Sequence, residues 1–244
     1  MTPLALGGVW LAVAGTGLAA QLPALRRWVL ILPLLAAAAA LAAASQASWP
    51  GPTSGDGGLA LGRVGQGLLA ATALATFATL VAGGDVTSEA LPSLGLVGAG
   101  SVLMLSATTP VVWSVGAVLA VAAMVARWVT AFPSHATLSA GRVAGTGAAL
   151  LLCAAPLLAS TDALLEPRLR LSGALLLFGI GSLLALLPVG GWAPRSLAEV
   201  HGADAASWVL IVCPSLLFTT GVTIDHLPPD ARYPLDHGLL VAGI

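Results

Sequence analysis

Long apolar runs follow one another along the chain, separated by short stretches rich in polar residues, glycine or proline. Residues 29–44 and 171–187 are two such runs. A helix that crosses a membrane needs about 20 apolar residues, whereas the strands of a membrane barrel alternate apolar and polar side chains. Because the runs are continuous, they predict an all-α, polytopic transmembrane helix bundle. Eight spans are predicted, near residues 3–21, 28–45, 59–83, 92–108, 110–130, 143–161, 171–189 and 205–223, with part of a ninth from residue 237.

These spans are predicted to form a single transmembrane helical domain, residues 1–244. The first 20 residues lack the positive region with which a signal peptide begins, so they are interpreted as the first span. The ninth run, of about two turns, is either an interfacial or re-entrant piece or the start of a span in a longer protein. The second interpretation is favoured. Polar connections are predicted at residues 132–142, 161–170 and 224–236.

Composition agrees with a lipid environment. Hydrophobic residues make up 58% of the chain and charged residues 8%, with a mean hydropathy of +0.98. A soluble domain has about 25% charged residues. We therefore expect a multi-pass protein surrounded by lipids, in the plasma membrane of a bacterium. The net charge is −1, so no basic surface indicates nucleic-acid binding.

Glycine and proline within the apolar runs predict how the helices pack and bend. Gly141 and Gly145 are spaced one turn apart, and such small residues let helix backbones approach closely. A proline removes one backbone donor and favours a kink. Prolines lie within or beside the predicted spans at Pro33, Pro110, Pro156, Pro188 and Pro214.

Candidate chemistry is sparse. The chain has no lysine, no phosphate-binding glycine loop, and neither of the H-E-x-x-H and G-x-S-x-G motifs. Ionisable residues are absent from the central turns of most predicted spans, and Arg127, near the end of the fifth, is expected to extend to the membrane surface. We predict no catalytic residue, no cofactor and no metal site. Glu199, His201 and Asp204 have the spacing of a metal corner, but acids favoured at a helix start are the preferred interpretation.

The predicted eighth span contains polar side chains that carry hydroxyl groups. Ser215, Thr219 and Thr220 lie in its apolar run and are the candidate polar lining of the bundle. Cys153 and Cys213 also lie in apolar runs and are expected to be buried free thiols.

The most informative segment lies between the seventh and eighth spans. It contains Pro188, Trp192, Pro194 and Glu199. This segment resembles the P-x-H-x-W-x-P-D motif that follows the seventh helix in the antiporter-like membrane subunits of respiratory complex I and of Mrp-type cation/proton antiporters. The resemblance covers residues 90–223. It implies an antiporter-like subunit fold, and partners that are other polytopic membrane subunits of a larger complex.

Departures from the family are equally informative. The glutamate of the family's fifth helix falls near Val118, and the lysine of its seventh helix falls at Leu183. The motif's histidine and aspartate fall at Gly190 and Arg195. The resemblance therefore implies the family's shape without its proton-transfer groups, because paired charges in the membrane are what shift each other's pKa values.

Three interpretations follow. The first is a structural or accessory subunit of a complex of the complex I, membrane-bound hydrogenase or Mrp type, which does not itself pump protons. The second is an active proton or cation translocator with atypical relay groups. The third is an unrelated permease, in which the Pro–Trp–Pro spacing is a coincidence. The first is favoured.

Overall fold

A computed structural model describes residues 91–105, 107, 109–159, 166–186, 191–200, 202–225 and 227–242. Every regular element in these ranges is a helix, as predicted. The helices are α1 (Leu91–Leu105), α2 (Pro110–Ala131), α3 (His135–Ala159), α4 (Glu166–Leu183), α5 (Trp192–Leu197), α6 (Gly202–Ala206), a π-helical turn (Ser207–Val212), α7 (Cys213–Asp225) and α8 (Pro229–Ala242). The segments α6, π turn and α7 follow one another without interruption, and we call them the composite span. The spans predicted near 3–21, 28–45 and 59–83 lie outside the described residues.

Three of the described helices are long and apolar enough to cross a membrane. They are α2, α3 as far as Leu158, and the composite span from Asp204 to Asp225. The helix α1 is apolar but has 15 residues, about 22 Å at 1.5 Å per residue. These helices agree with a helical membrane protein, whereas the total of eight or nine spans stays a prediction.

The start of α2 agrees with its predicted boundary. Thr109 is the N-cap, and its hydroxyl accepts a hydrogen bond of 3.3 Å from the backbone N–H of Val112. Pro110 occupies the first helical turn, where its missing N–H costs no hydrogen bond. The prediction of a kink at Pro110 is therefore wrong.

The helix α3 begins at His135 and not near residue 143, so much of the connection predicted at 132–142 is helical. Ser134 and Thr137 explain the early start. The Ser134 hydroxyl accepts from the Thr137 N–H at 3.1 Å, and the Ser134 N–H donates to the Thr137 hydroxyl at 3.0 Å. This reciprocal arrangement is that of a capping box. Pro156 lies inside the helix without ending it.

The helix α4 is displaced toward the N-terminus relative to the predicted span 171–189, since it runs from Glu166 to Leu183. Its end is set by Ala185, whose φ is 57°. The N–H of Leu186 donates to the carbonyl of Gly181 at 2.8 Å, and that of Ala185 to the carbonyl of Ser182 at 3.4 Å. These two bonds define a Schellman motif, which closes the helix.

The π turn in the composite span accompanies Pro214. Within this turn the N–H of Cys213 donates to the carbonyl of Trp208, five residues earlier. A proline in a regular helix would clash with the carbonyl four residues before it. The wider turn relieves that clash, so a π-helical segment accommodates Pro214.

The polar connection predicted at 224–236 contains most of the helix α8. The carbonyl of Pro228 accepts from the N–H groups of Ala231 and Arg232, both at 3.0 Å. Pro229 is the first helical residue, a position that proline favours. Arg232 then pairs with Asp236 one turn later, at 3.1 Å. Proline clusters, read as loop signals, here mark a helix start.

The helices pack as sequential antiparallel neighbours, with α1 on α2, α2 on α3 and α3 on α4. The composite span returns to contact α1 and α2, and α8 packs on α4. Gly100 and Gly116 bring α1 and α2 together, since a methyl group on Gly116 would lie 2.8 Å from the backbone oxygen of Gly100. In the predicted Gly141 and Gly145 pair, Gly141 faces Val129, whereas Gly145 has open space beside it.

Candidate functional site

Three tryptophans form a cluster where α2, α5 and the π turn meet. The ring centroids of Trp192 and Trp208 lie 5.2 Å apart. Trp128 lies 6.3 Å from Trp192 and 6.4 Å from Trp208, in tilted and edge-on arrangements. Tilted and edge-on aromatic pairs each add about 0.5–1.5 kcal/mol beyond the burial of their area. The cluster is therefore a strong joint between segments that are far apart in sequence.

The indole N–H groups of the cluster are also bonded. Trp192 donates to the carbonyl of Ser182 at 2.8 Å, which ties α5 to the end of α4. Trp128 donates to the carbonyl of Asp204 at 3.1 Å, which ties α2 to the start of the composite span. On the other side of α5, the Ser196 hydroxyl donates to the carbonyl of Ala136 in α3 at 3.2 Å.

An ion pair lies beside the cluster. The Arg127 guanidinium is 3.4 Å from the Asp204 carboxylate, and the two side chains are 14% and 15% exposed. Asp204 lies in the first turn of α6, which agrees with the interpretation of a helix-start acid. Arg127 was expected to extend to the membrane surface, and instead pairs with this carboxylate.

The motif residues have different environments. Trp192 is buried in the tryptophan cluster, whereas Pro194 and Glu199 are exposed. Pro188 lies outside the described residues. The motif segment therefore contributes a buried aromatic anchor, and its described charged residues lie at the surface.

The three candidate lining hydroxyls, Ser215, Thr219 and Thr220, are all buried. Thr219 accepts a hydrogen bond of 2.8 Å from the indole N–H of Trp113 in α2, and donates to the carbonyl of Ser215 at 2.7 Å. The hydroxyls of Ser215 and Thr220 have no hydrogen-bond partner among the described residues.

Sequence reasoning missed two further buried hydroxyls and one aromatic partner. Ser101 in α1 and Ser114 in α2 are buried, and neither hydroxyl has a partner within the described part of the chain. Trp113 precedes Ser114 and is 1% exposed. The signal in the sequence was a polar residue inside an apolar run. This signal was used to predict lining residues only in the eighth span.

The two cysteines are free, as predicted, but their burial was predicted wrongly. Cys153 is exposed on α3 and Cys213 is half-buried. An exposed thiol is compatible with its apolar run, because the outer face of a membrane helix meets lipid and not water.

Taken together, these contacts in the described residues are joints between helices. Within these ranges, no group of three or more histidine, cysteine or acidic residues could hold a metal ion. No protein-family model and no curated protein sequence matches the chain.

Proposed function

We propose that the chain is a membrane-embedded structural or accessory subunit, antiporter-like in shape, of a multi-subunit complex of the complex I, membrane-bound hydrogenase or Mrp type. It does not itself pump protons. Its partners are other polytopic membrane subunits and lipids, in the plasma membrane of a bacterium. The absence of aspartate, glutamate, lysine, arginine and histidine from the middle third of α2, α3 and the composite span is the observation that carries this proposal.

Proton transfer through a membrane protein requires titratable groups or continuous water between them, and such groups are costly in lipid unless they have a function. The middle of α2 instead contains Ala117, Ala120, Val121 and Met124, all buried. Val118, near the position where the resemblance implies a glutamate, packs on the same apolar core. Beyond residue 117 of α2, an apolar interior of this kind does not hold water.

The charged pair and the aromatic cluster support a scaffold role. Arg127 and Asp204 lie near the ends of their helices, where they join two spans. Trp192, the buried residue of the motif, joins the end of α4 to α2 and the π turn. In this chain the motif thus supplies shape, and its charged positions are occupied by Gly190 and Arg195.

The proposal is tested first on the purified chain in liposomes. With a potassium gradient, valinomycin and an internal pH dye, we expect the same proton flux as in vesicles without protein. A translocator would give a larger flux, and one that the substitution of Ser215, Thr219 and Thr220 by Ala abolishes would establish the second interpretation.

The accessory role is tested on the complex purified in mild detergent from native membranes. We expect polytopic subunits with intramembrane lysine and glutamate to copurify with the chain. Trp192→Ala should reduce the amount of assembled complex and leave the protons moved per assembled complex unchanged. Glu199→Gln, at an exposed position of the same segment, should leave assembly intact. A chain that purifies alone as a stable monomer would refute this proposal.

A further inference from the structure

Four buried hydroxyls distinguish one layer of the bundle from the rest of its interior. Ser101, Ser114, Ser215 and Thr220 are each at most 6% exposed, and their hydroxyl oxygens have no hydrogen-bond partner in the described ranges. Serine and threonine in helices commonly donate to the carbonyl three or four residues earlier, as Thr219 does to Ser215. These four do not make that bond.

Two contacts fix the level of these hydroxyls along the bundle. Trp113 bonds to Thr219, and Trp128 bonds to Asp204. Trp128 lies fifteen residues after Trp113 in α2, whereas Asp204 lies fifteen residues before Thr219 in the composite span. The composite span therefore runs antiparallel to α2 in a constant register. By this register Ser215 lies level with residue 117 of α2, and Thr220 level with residue 112.

The helix α1 has a similar register on α2. Gly100 lies against Gly116 and Ala120, and Gly116 lies against Met104. Ser101 is therefore level with residue 117 as well. Together with Ser114, the four hydroxyls occupy five residue steps of α2, about 8 Å of bundle length at 1.5 Å per residue. We call this the hydroxyl layer.

A buried hydroxyl without a partner lowers the ratio of folded to unfolded protein by about 5- to 150-fold. Four hydroxyls without partners in one layer would destabilise the folded state too much for a marginally stable protein. We therefore expect these hydroxyls to have a partner. A bound cation would bring a charge into an apolar region. The described carboxylates of the composite span lie outside the layer: Asp204 is eleven residues before Ser215, and Asp225, five residues after Thr220, is largely exposed and pairs with Arg232. Water is neutral, both donates and accepts, and needs two to four polar partners.

We infer that the hydroxyl layer is a binding site for ordered water molecules, which bridge α1, α2 and α7. This site does not continue along the bundle toward the tryptophan cluster, because the next level of the interior in that direction is formed by Val121 and Met124, which are 1% exposed. The inference is independent of the proposed function, since bridging water stabilises the bundle whether or not a complex forms around it.

Radiolytic footprinting of the unaltered chain in nanodiscs tests the site directly, because hydroxyl radicals formed from bound water oxidise the side chains next to it. Met104 and Met124 are a matched pair, 2% and 1% exposed. The backbone nitrogen of Met104 lies beside Gly116, which places Met104 at the level of the layer, whereas Met124 lies seven residues beyond residue 117. In ¹⁸O-labelled water we expect labelled sulfoxide at Met104 and little at Met124. Equally low labelling of both would overturn the inference.

Thermal unfolding supplies a second test, because hydroxyls that hold water and dry hydroxyls predict changes of opposite sign in the unfolding temperature. Removing a hydroxyl that holds bridging water lowers the unfolding temperature, whereas removing a hydroxyl that is dry and unpartnered raises it. Ser101→Ala and Ser215→Ala should each lower the unfolding temperature by about 2–4 °C. Ser172→Ala is the control, because that buried hydroxyl donates to Leu169 within its own helix. A raised or unchanged unfolding temperature in both layer variants would also overturn the inference.

Discussion

The contact between α1 and α2 gives the sharpest prediction. In Gly116→Ala, the new methyl group would lie 2.8 Å from the backbone oxygen of Gly100 and 2.8 Å from the backbone nitrogen of Met104. Ordinary contacts of this kind are 3.4–4 Å. Backbone atoms within a helix cannot rotate away, so α1 and α2 must separate by close to an ångström along the whole contact.

The expected cost follows from two opposing effects. Overpacking of a well-packed interior costs about 1–3 kcal/mol. Alanine is the better helix former by about 1 kcal/mol. Because the obstacles are backbone atoms of a facing helix, we expect a packing cost in the upper half of that range, about 2–3 kcal/mol, and thus a net loss of about 1–2 kcal/mol in the free energy of unfolding.

Gly145→Ala is the matched control, since Gly145 is also in a helix long enough to cross the membrane and has no atom within 4 Å of the position of a new methyl group. Here only the helix preference acts, so we expect a gain of up to about 1 kcal/mol. Thermal unfolding of both variants in the same detergent measures the difference. The two variants should differ by about 2–3 kcal/mol, so at about 2–4 °C per kcal/mol their unfolding temperatures should differ by about 4–12 °C. A Gly116→Ala variant as stable as the parent would refute the close approach of the two helices.

Three further predictions concern the ends of the helices. Ala185→Gly should raise the free energy of unfolding by about 0.5–1 kcal/mol, because Ala185 has a φ of 57° and glycine adopts this conformation without the steric cost; a lower unfolding temperature would contradict this. In a double-mutant cycle of Arg127→Gln and Asp204→Asn, the ion pair should give a coupling energy of about 1–2 kcal/mol, and additive effects would show that the pair is not coupled. Trp192→Phe should lower the free energy of unfolding by about 1–2 kcal/mol through the lost bond to Ser182, and Trp192→Ala should lower it by about 3–5 kcal/mol. If chemical unfolding gives equal losses for the two variants, the buried ring does not contribute as expected.

The apolar runs predict the described spans well where the chain also carries a local boundary signal. The span predicted at 110–130 agrees with α2 to within one residue, because Thr109 and Pro110 are a cap and a first-turn residue that can be read locally. The span predicted at 171–189 ends too late, because Ala185 takes a left-handed conformation without the glycine or asparagine that usually marks one. The π turn has no sequence signature beyond Pro214.

The candidate site was predicted only in part, because its contacts join residues that are far apart in sequence. Trp192 was singled out through the motif, but its neighbours Trp128 and Trp208 depend on how the helices fold together. The bond between Trp113 and Thr219 spans 106 residues, and no local pattern indicates it. The polar character of the eighth span was visible, whereas the matching hydroxyls of α1 and α2 were hidden in long apolar runs.

The order of contacts along the chain has a consequence for biogenesis. The helices α1 to α4 each pack on the next one, so they can associate in pairs as they leave the ribosome and enter the membrane. The composite span contacts α1 and α2, which are synthesised about a hundred residues earlier. Its docking must therefore wait until α4 has been inserted. Until then the indole N–H groups of Trp113 and Trp128 lack the acceptors that Thr219 and Asp204 supply in the folded chain.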